Sequence, residues 1–211
     1  MSRVEGIIFD CDGVLFESKA ANLAYYNRIL EKFNYPPVTL EQRERAHLCH
    51  TASSPVVLAG LLAADDLLPA LNYASGLDYR EFIPQLRMEP YLTEVLQRLA
   101  LDYPLAIATN RGGSVGSILA HFGLAGFFRT VVTCHDVERP KPAPDMLLLA
   151  SERLGLAPEK CLFVGDSDLD QQAAAGAKVR FFGYGGLTSG EVSLRNHLQL
   201  LDYLPLREGC R

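Results

Sequence analysis

The stretch GIIFDCDGVLFES, residues 6–18, sets two carboxylates, Asp10 and Asp12, at the end of an apolar run and follows them with Gly13. Two like charges ~5 Å apart repel by roughly 3 kcal/mol at an effective dielectric near 20. A chain that only had to end a strand had less costly choices, so the pair calls for a cation, for phosphate chemistry, or for a plain surface turn. Similar residue types recur further along: Thr109 and Asn110 close PLAIATN, Lys141 lies inside RPKPAP, and Asp166, Asp168 and Asp170 share GDSDLD. Four carboxylates in one pocket need a divalent cation, and oxygen-only ligands suit Mg²⁺. A lysine, as a compact point charge, suits a phosphate. A threonine hydroxyl and neighbouring backbone N–H groups can hold its remaining oxygens. One carboxylate can attack phosphorus to form an acyl phosphate, dividing hydrolysis into two easier steps. A second, its pKa raised by neighbouring acids, can protonate the leaving alkoxide and later activate water.

These residues need elements to carry them. Residues 4–9 are short, β-branched and apolar, which predicts a buried strand. Residues 18–33 predict one helix, with Ser18 as N-cap and YPP at 35–37 ending it. From there to about Met88 the spacing is helical only, in TLEQRERAHL and PVVLAGLLAADDLLPAL, with no strand expected. From Tyr91 onward helices and strands alternate: LTEVLQRLA, PLAIATN, GSVGSILAHF, RTVVTC, APDMLLLASERLG, KCLFVGD, DLDQQAAAG and KVRFFGY. That alternation means βαβ units and a parallel sheet. The expected fold is α/β, a Rossmann-like doubly wound parallel sheet formed by residues 1–16 and 89–211, with residues 17–88 inserted as an all-helical cap. The tail 187–211 predicts one helix, SLRNHLQLLDYL, ended by Pro205. In an open parallel sheet ligands bind outside the carboxyl ends of the strands, where these polar residues fall.

Composition narrows the class. The chain has 211 residues, 48% hydrophobic and 21% charged, enough to bury a sizeable core. A net charge of −5 argues against nucleic acid, whose binders carry a basic patch. Cys11, Cys49, Cys134, Cys161 and Cys210 are an odd number with no CxxC pair, which reads as reduced thiols in a cytoplasmic protein. No stretch approaches the roughly 20 apolar residues of a membrane span. The expected partner is a small phosphorylated metabolite, neither nucleic acid nor membrane, and the protein a monomer or small homo-oligomer.

Four motifs in order, DCDGVLFES, ATN, RPKPAPD and GDSDLD, make the chain resemble the haloacid dehalogenase superfamily, in its phosphatase branch with a helical cap. The resemblance runs from residue 7 to about 185, with Glu17 where Asp is commoner. It implies a Mg²⁺-dependent phosphatase with Asp10 as nucleophile and Asp12 as general acid and base. Thr109 and the amide of Asn110 would grip the phosphoryl group, and Lys141 would neutralise the charge of nucleophile and phosphoryl. The metal would be held by Asp10, the backbone carbonyl of Asp12, and Asp166. Asp170 would orient a metal-bound water or the lysine, while Asp168 falls at a variable position. A phosphomutase uses the same motifs and stays open, as does a non-catalytic module that only keeps the fold.

Plainer readings stand beside these. Cys11 reads as a small apolar side chain beneath the loop. HLCH, with His47, Cys49 and His50, looks like a zinc fragment without a partner pair, so no metal is expected there. Asp170 can also cap the helix after GDS. Arg111 can touch substrate or face solvent equally well. Lys19, Arg43, Arg45 and Arg80 in the cap can meet an anionic substrate, though most belong to a solvated helix face.

Overall fold

Strand β1 (Gly6–Phe9) is buried along its whole length, and every residue of β4 (Leu105–Thr109) and β6 (Cys161–Gly165) is buried too. Runs apolar on both faces are what a strand inside a parallel sheet requires. The computed structural model describes residues 3–186 and 190–205. Cys210 and residues 187–189 and 206–211 of the expected tail lie outside the described residues. With β5 (Phe128–Thr133), β7 (Arg180–Tyr184) and β8 (Val192–Leu194), these strands form one six-stranded parallel sheet ordered β5-β4-β1-β6-β7-β8. Counting sheet strands alone, this is the 3-2-1-4-5-6 order of a doubly wound fold. The crevice between β1 and β6, where the strand order reverses, is the expected ligand position.

Alternate residues of β1 feed two cores. Ile7 and Phe9 pack with α5 (Leu92–Leu99) and α6 (Ser114–His121) on one face. Ile8 packs with α7 (Asp145–Leu154) and α8 (Asp168–Ala177) on the other. A third apolar cluster is formed by the inserted helices α1 (Lys19–Lys32), α2 (Arg43–Thr51), α3 (Ser54–Leu61) and α4 (Ala64–Gly76), through Ile29, Leu30, Val57, Leu58 and Ala70.

Two expectations need correction. The insertion is not purely helical: β2 (Phe16–Glu17) and β3 (Arg87–Met88) pair antiparallel where the chain leaves and re-enters the core. Two residues per strand are too few to show a period-2 pattern. The tail is not one helix. Its first part pairs with β7 as β8, a 3₁₀ turn covers His197–Gln199, and only α9 (Leu200–Tyr203) is α-helical. The open edge of β7 supplies backbone partners that outweigh local helix preference, and Leu194, Leu200 and Leu204 are buried by the result. Among the described residues no helix is long and apolar enough to cross a membrane.

Candidate active site

Asp10 follows β1 directly, and its N–H donates to the Val164 carbonyl of β6 at 2.9 Å, which fixes it at the switch point. Lys141 arrives from the loop after β5. Its Nζ lies 2.6 Å from Asp170 Oδ1, donates to the Ala108 carbonyl at 3.1 Å, and stands 2.8 Å from Asp10 Oδ1. The last contact is an ion pair without hydrogen-bond angles, so among the described residues this buried oxygen accepts no hydrogen bond. Asn110 fixes the lysine's backbone from both sides, accepting from the Lys141 N–H and donating to its carbonyl, each at 3.0 Å. Thr109 is buried beside it, its Oγ1 accepting from the Arg111 N–H at 3.1 Å.

Asp170 serves both readings offered for it. Its Oδ2 accepts from the Ser167 N–H at 3.1 Å and the Ser167 hydroxyl at 2.5 Å, closing a capping box at the start of α8, while Oδ1 meets Lys141. Asp168 on the same turn is exposed. Asp10, Asp166 and Asp170 offer carboxylate oxygens that all lie within 4.8 Å of one another. Gly13, at φ +74°, runs so close to Asp166 that a Cβ there would come within 1.9 Å of Oδ2. Three carboxylates against one ammonium leave this pocket short of positive charge. Burial, opposed by Lys141 and helped by Asp170 and Asp166, pushes the Asp10 carboxyl up to about 8. Burial likewise raises Asp166. The donor set and the charge deficit fit a divalent cation.

Asp12 does not join this group, and its expected electrostatics are reversed. Burial alone would raise its pKa, but the Arg111 guanidinium outweighs that and holds the carboxyl down at about 2. Arg111 Nε donates to Asp12 Oδ2 at 3.0 Å and Nη2 to Oδ1, a fork on both oxygens. Oδ1 also accepts from the Ser18 hydroxyl and from Asn22 Nδ2, the latter at 3.1 Å. Ser18, expected as a helix cap, makes no cap hydrogen bond because its hydroxyl goes to Asp12. The raised carboxyl of the pair is therefore Asp10: both are buried, but Asp170 and Asp166 oppose the Lys141 ammonium at Asp10, whereas the Arg111 fork prevails at Asp12.

The inserted helices reach into this site. Asn22 of α1 accepts from Arg111 Nη2 and from the Tyr79 hydroxyl, both at 2.8 Å, and the Arg111 guanidinium lies 4.6 Å from the Tyr79 ring. Asn110 Nδ2 donates to the Thr51 carbonyl of α2 at 3.0 Å. His50, one residue earlier, is buried with Nε2 3.6 Å from Asp166 Oδ2. The three residues of HLCH diverge: His47 is exposed, Cys49 packs in the cap core, and His50 faces the acids. Cys11 is buried in the core, its thiol pushed up by burial. Between helices and strand ends lies a cavity of about 410 Å³ bordered by Asp10, Asp12, His50, Thr109, Asn110 and Arg111. Sequence reasoning missed Asn22, Tyr79 and His50, whose helical spacing carries no sign of their facing the strand ends.

The comparisons agree with this geometry. A family model described as haloacid dehalogenase-like hydrolase matches residues 7–184. A phosphoglycolate phosphatase of Escherichia coli O157:H7 is 30% identical, with 82% of this chain and 78% of that protein covered. One from Shigella boydii is 32% identical over the same shares. The crystal structure of a HAD-superfamily hydrolase, subfamily IA, from Geobacter sulfurreducens superimposes with a TM-score of 0.84 at 34% identity, covering 95% of this chain and 100% of that one. CbbY from Rhodobacter sphaeroides, solved with phosphate, shares the fold with a TM-score of 0.79 at 21% identity, covering 94% and 96% of the two chains. The chain belongs to the haloacid dehalogenase-like hydrolases and is an enzyme of their phosphatase branch.

Proposed function

We propose that the protein is a Mg²⁺-dependent phosphatase that hydrolyses a small soluble phosphomonoester through an aspartyl-phosphate. The observation that carries this reading is the buried set of Asp10, Lys141 and Asp170 beside Thr109 and Asp166 at the switch point of the sheet. Asp10 attacks phosphorus as the ester P–O bond breaks, and Asp12, which Arg111 holds ionised at rest, takes up a proton from solvent before delivering it to the leaving alcohol oxygen. Asp12 then takes a proton from water, which attacks the acyl phosphate, releasing inorganic phosphate and restoring Asp10. Thr109 and the Asn110 amide hold the phosphoryl oxygens, and Lys141 offsets their charge. Asp10, Asp166 and the Asp12 backbone carbonyl would hold the Mg²⁺, with Asp170 positioning Lys141. When bound, the ion supplies charge stabilisation to the transferring phosphoryl group.

Residues 17–88 act as the cap that encloses the substrate, over a core of 1–16 and 89–211. A cavity of about 410 Å³ suits a small phosphorylated metabolite, and several relatives carry the name phosphoglycolate phosphatase. The cytoplasm, where such metabolites and free thiols occur together, is the expected compartment. The test is phosphate release from a panel of phosphorylated metabolites, with Mg²⁺ and with chelator, beside Asp10→Asn. Release that needs Mg²⁺ and falls at least about a thousandfold in Asp10→Asn is expected. Near-normal turnover by Asp10→Asn would remove the nucleophile assignment. Release only on addition of a sugar bisphosphate would replace hydrolysis with phosphoryl transfer between sugar positions.

A further inference from the structure

The cavity of about 410 Å³ lies in the range of about 300–1,000 Å³ in which proteins enclose whole small organic molecules. A phosphoryl group on a two-carbon alcohol leaves part of that space unfilled. The inserted segment supplies one wall of it: Tyr25 of α1, Leu71 and Ala74 three apart on one face of α4, and Leu77 just after that helix. Leu71 and Leu77 are half-buried, packed on the core of the inserted helices while bordering the cavity. Tyr25 is held against Tyr26, Tyr79 and Phe82, with ring centroids 5.1, 5.4 and 5.6 Å away, so its ring is fixed before anything binds.

The polar atoms along this wall are already spent inside the protein. The Tyr25 hydroxyl donates to the Ala74 carbonyl at 3.3 Å, and the Ser75 hydroxyl to the Asn72 carbonyl at 2.8 Å. The Tyr26 hydroxyl pairs with Ser54 Oγ at 3.0 Å, and the Tyr79 hydroxyl donates to Asn22 Oδ1 at 2.8 Å. What remains for a ligand is a ring and aliphatic side chains. Positive charge is spent as well. Among the described residues no lysine borders the cavity, and its one arginine, Arg111, is engaged by both oxygens of Asp12. His50 faces Asp166, and His135 is exposed. An anionic group on the alcohol would be enclosed without a cation of its own, a cost that a neutral group escapes.

We propose that the alcohol part of the substrate is uncharged and apolar and sits against Tyr25, Leu71, Ala74 and Leu77. The substrate class is then the phosphate monoester of a neutral alcohol carrying an aromatic ring or a branched alkyl group. Burial of that group on the wall supplies the discrimination, and the absence of an unengaged lysine or arginine disfavours esters of hydroxy acids and bisphosphates. This inference rests on the phosphatase reading, and it sets the chain apart from the relatives named for phosphoglycolate.

The experiment compares benzyl phosphate with 2-hydroxyethyl phosphate and 2-phosphoglycolate, with Mg²⁺ present, in wild type and Leu71→Ser. Benzyl alcohol and ethylene glycol are of similar acidity, so their esters differ in what the wall sees rather than in the ease of P–O cleavage. Wild type is expected to favour benzyl phosphate at least about tenfold in kcat/KM over either of the others. Leu71→Ser should shrink that ratio at least about threefold, chiefly through KM for benzyl phosphate. A wild type that prefers 2-phosphoglycolate, or that shows no preference, would overturn the proposal before any variant is made. So would equal losses on all three esters in a folded Leu71→Ser protein, and where that protein does not fold, Leu77→Ser puts the same question to the same wall. Calorimetric titration reads the wall without turnover, using 2-phenylethylphosphonate and 3-phosphonopropionate, in which CH₂ replaces the ester oxygen of benzyl phosphate and 2-phosphoglycolate. The phenyl compound is expected to bind at least about tenfold more tightly, and equal or reversed affinities would overturn the proposal. If wild type hydrolyses none of the esters, the phosphatase reading fails by itself, and the titration still decides the wall.

Discussion

Two buried ionic clusters border one cavity, and they differ in what they are made of. The first joins Asp10, Asp170 and Lys141, with Asp166 alongside, and every member stands on a strand end, in the loop after one, or in the first turn of the helix that follows. The second joins Asp12 and Arg111 from the core to Ser18, Asn22 and Tyr79 from the inserted segment. The first is built from core residues, with only His50 of α2 reaching Asp166 from the insertion, while the second takes three of its five members from the inserted segment. The sheet builds the reacting centre, and the inserted helices set how the group beside it is held. This division of labour lets one scaffold keep its chemistry while the covering segment changes what it admits.

The comparison can be broken most directly at Lys141. Lys141→Ala leaves Asp10 and Asp170 buried without their ammonium, and breaking such a pair typically costs about 3–5 kcal/mol. Urea unfolding without Mg²⁺ should show a loss of that size, and phosphate release should vanish. A loss under 1 kcal/mol would mean that the first cluster does not act as one electrostatic unit.

A second measurement addresses what the clusters share, the loop 10–17 from which both hang. His197 holds it from below, with Nε2 donating to the Val14 carbonyl oxygen at 2.7 Å. Burial, against the pull of that carbonyl, lowers its pKa from 6.5 to about 4. Below pH 6.5 the unfolded chain binds a proton that the folded protein refuses, so stability present above that pH is lost as pH falls toward 4. The loss reaches about 3 kcal/mol. His197→Gln should flatten this part of the stability curve relative to wild type. An unchanged slope would remove His197 from the account.

The finest test crosses the two clusters. Asn22→Ala should lower kcat/KM about tenfold through the loss of hydrogen bonds to Asp12 and Arg111, with the Mg²⁺ requirement unchanged. Asp166→Ala should raise the Mg²⁺ requirement by about ten- to a hundredfold. If Asn22→Ala shifts the metal requirement as much as Asp166→Ala does, the two clusters are one.

How far the sequence reached follows the same line. The alternating core was legible because β1, β4, β6 and β7 are apolar runs bounded by turn signals, and its helices show apolar spacing of their own. The two-residue ribbon β2–β3 and the split tail were not, because pairing with a distant strand leaves no local period. Asp10, Thr109, Lys141, Asp166 and Asp170 were legible as site candidates because each stands at the carboxyl end of a strand, in the loop beyond it or in the first turn of the next helix, where a parallel sheet gathers them.

By itself, then, the sequence determined the first five strands of the parallel sheet and which residues gather at its carboxyl edge, since both depend on short-range patterning of apolar runs and turns. Only the tertiary structure decided the partner of each charge. Arg111 and Asp12 are 99 positions apart, and Lys141 reaches Asp170 across 29. Nothing in the spacing of Asn22 within α1, Tyr79 after α4 or His50 on α2 reveals that all three border the same cavity. An ion pair forms where the fold removes water and brings opposite charges within contact, and that distance is set by packing across the cavity rather than by position along the chain.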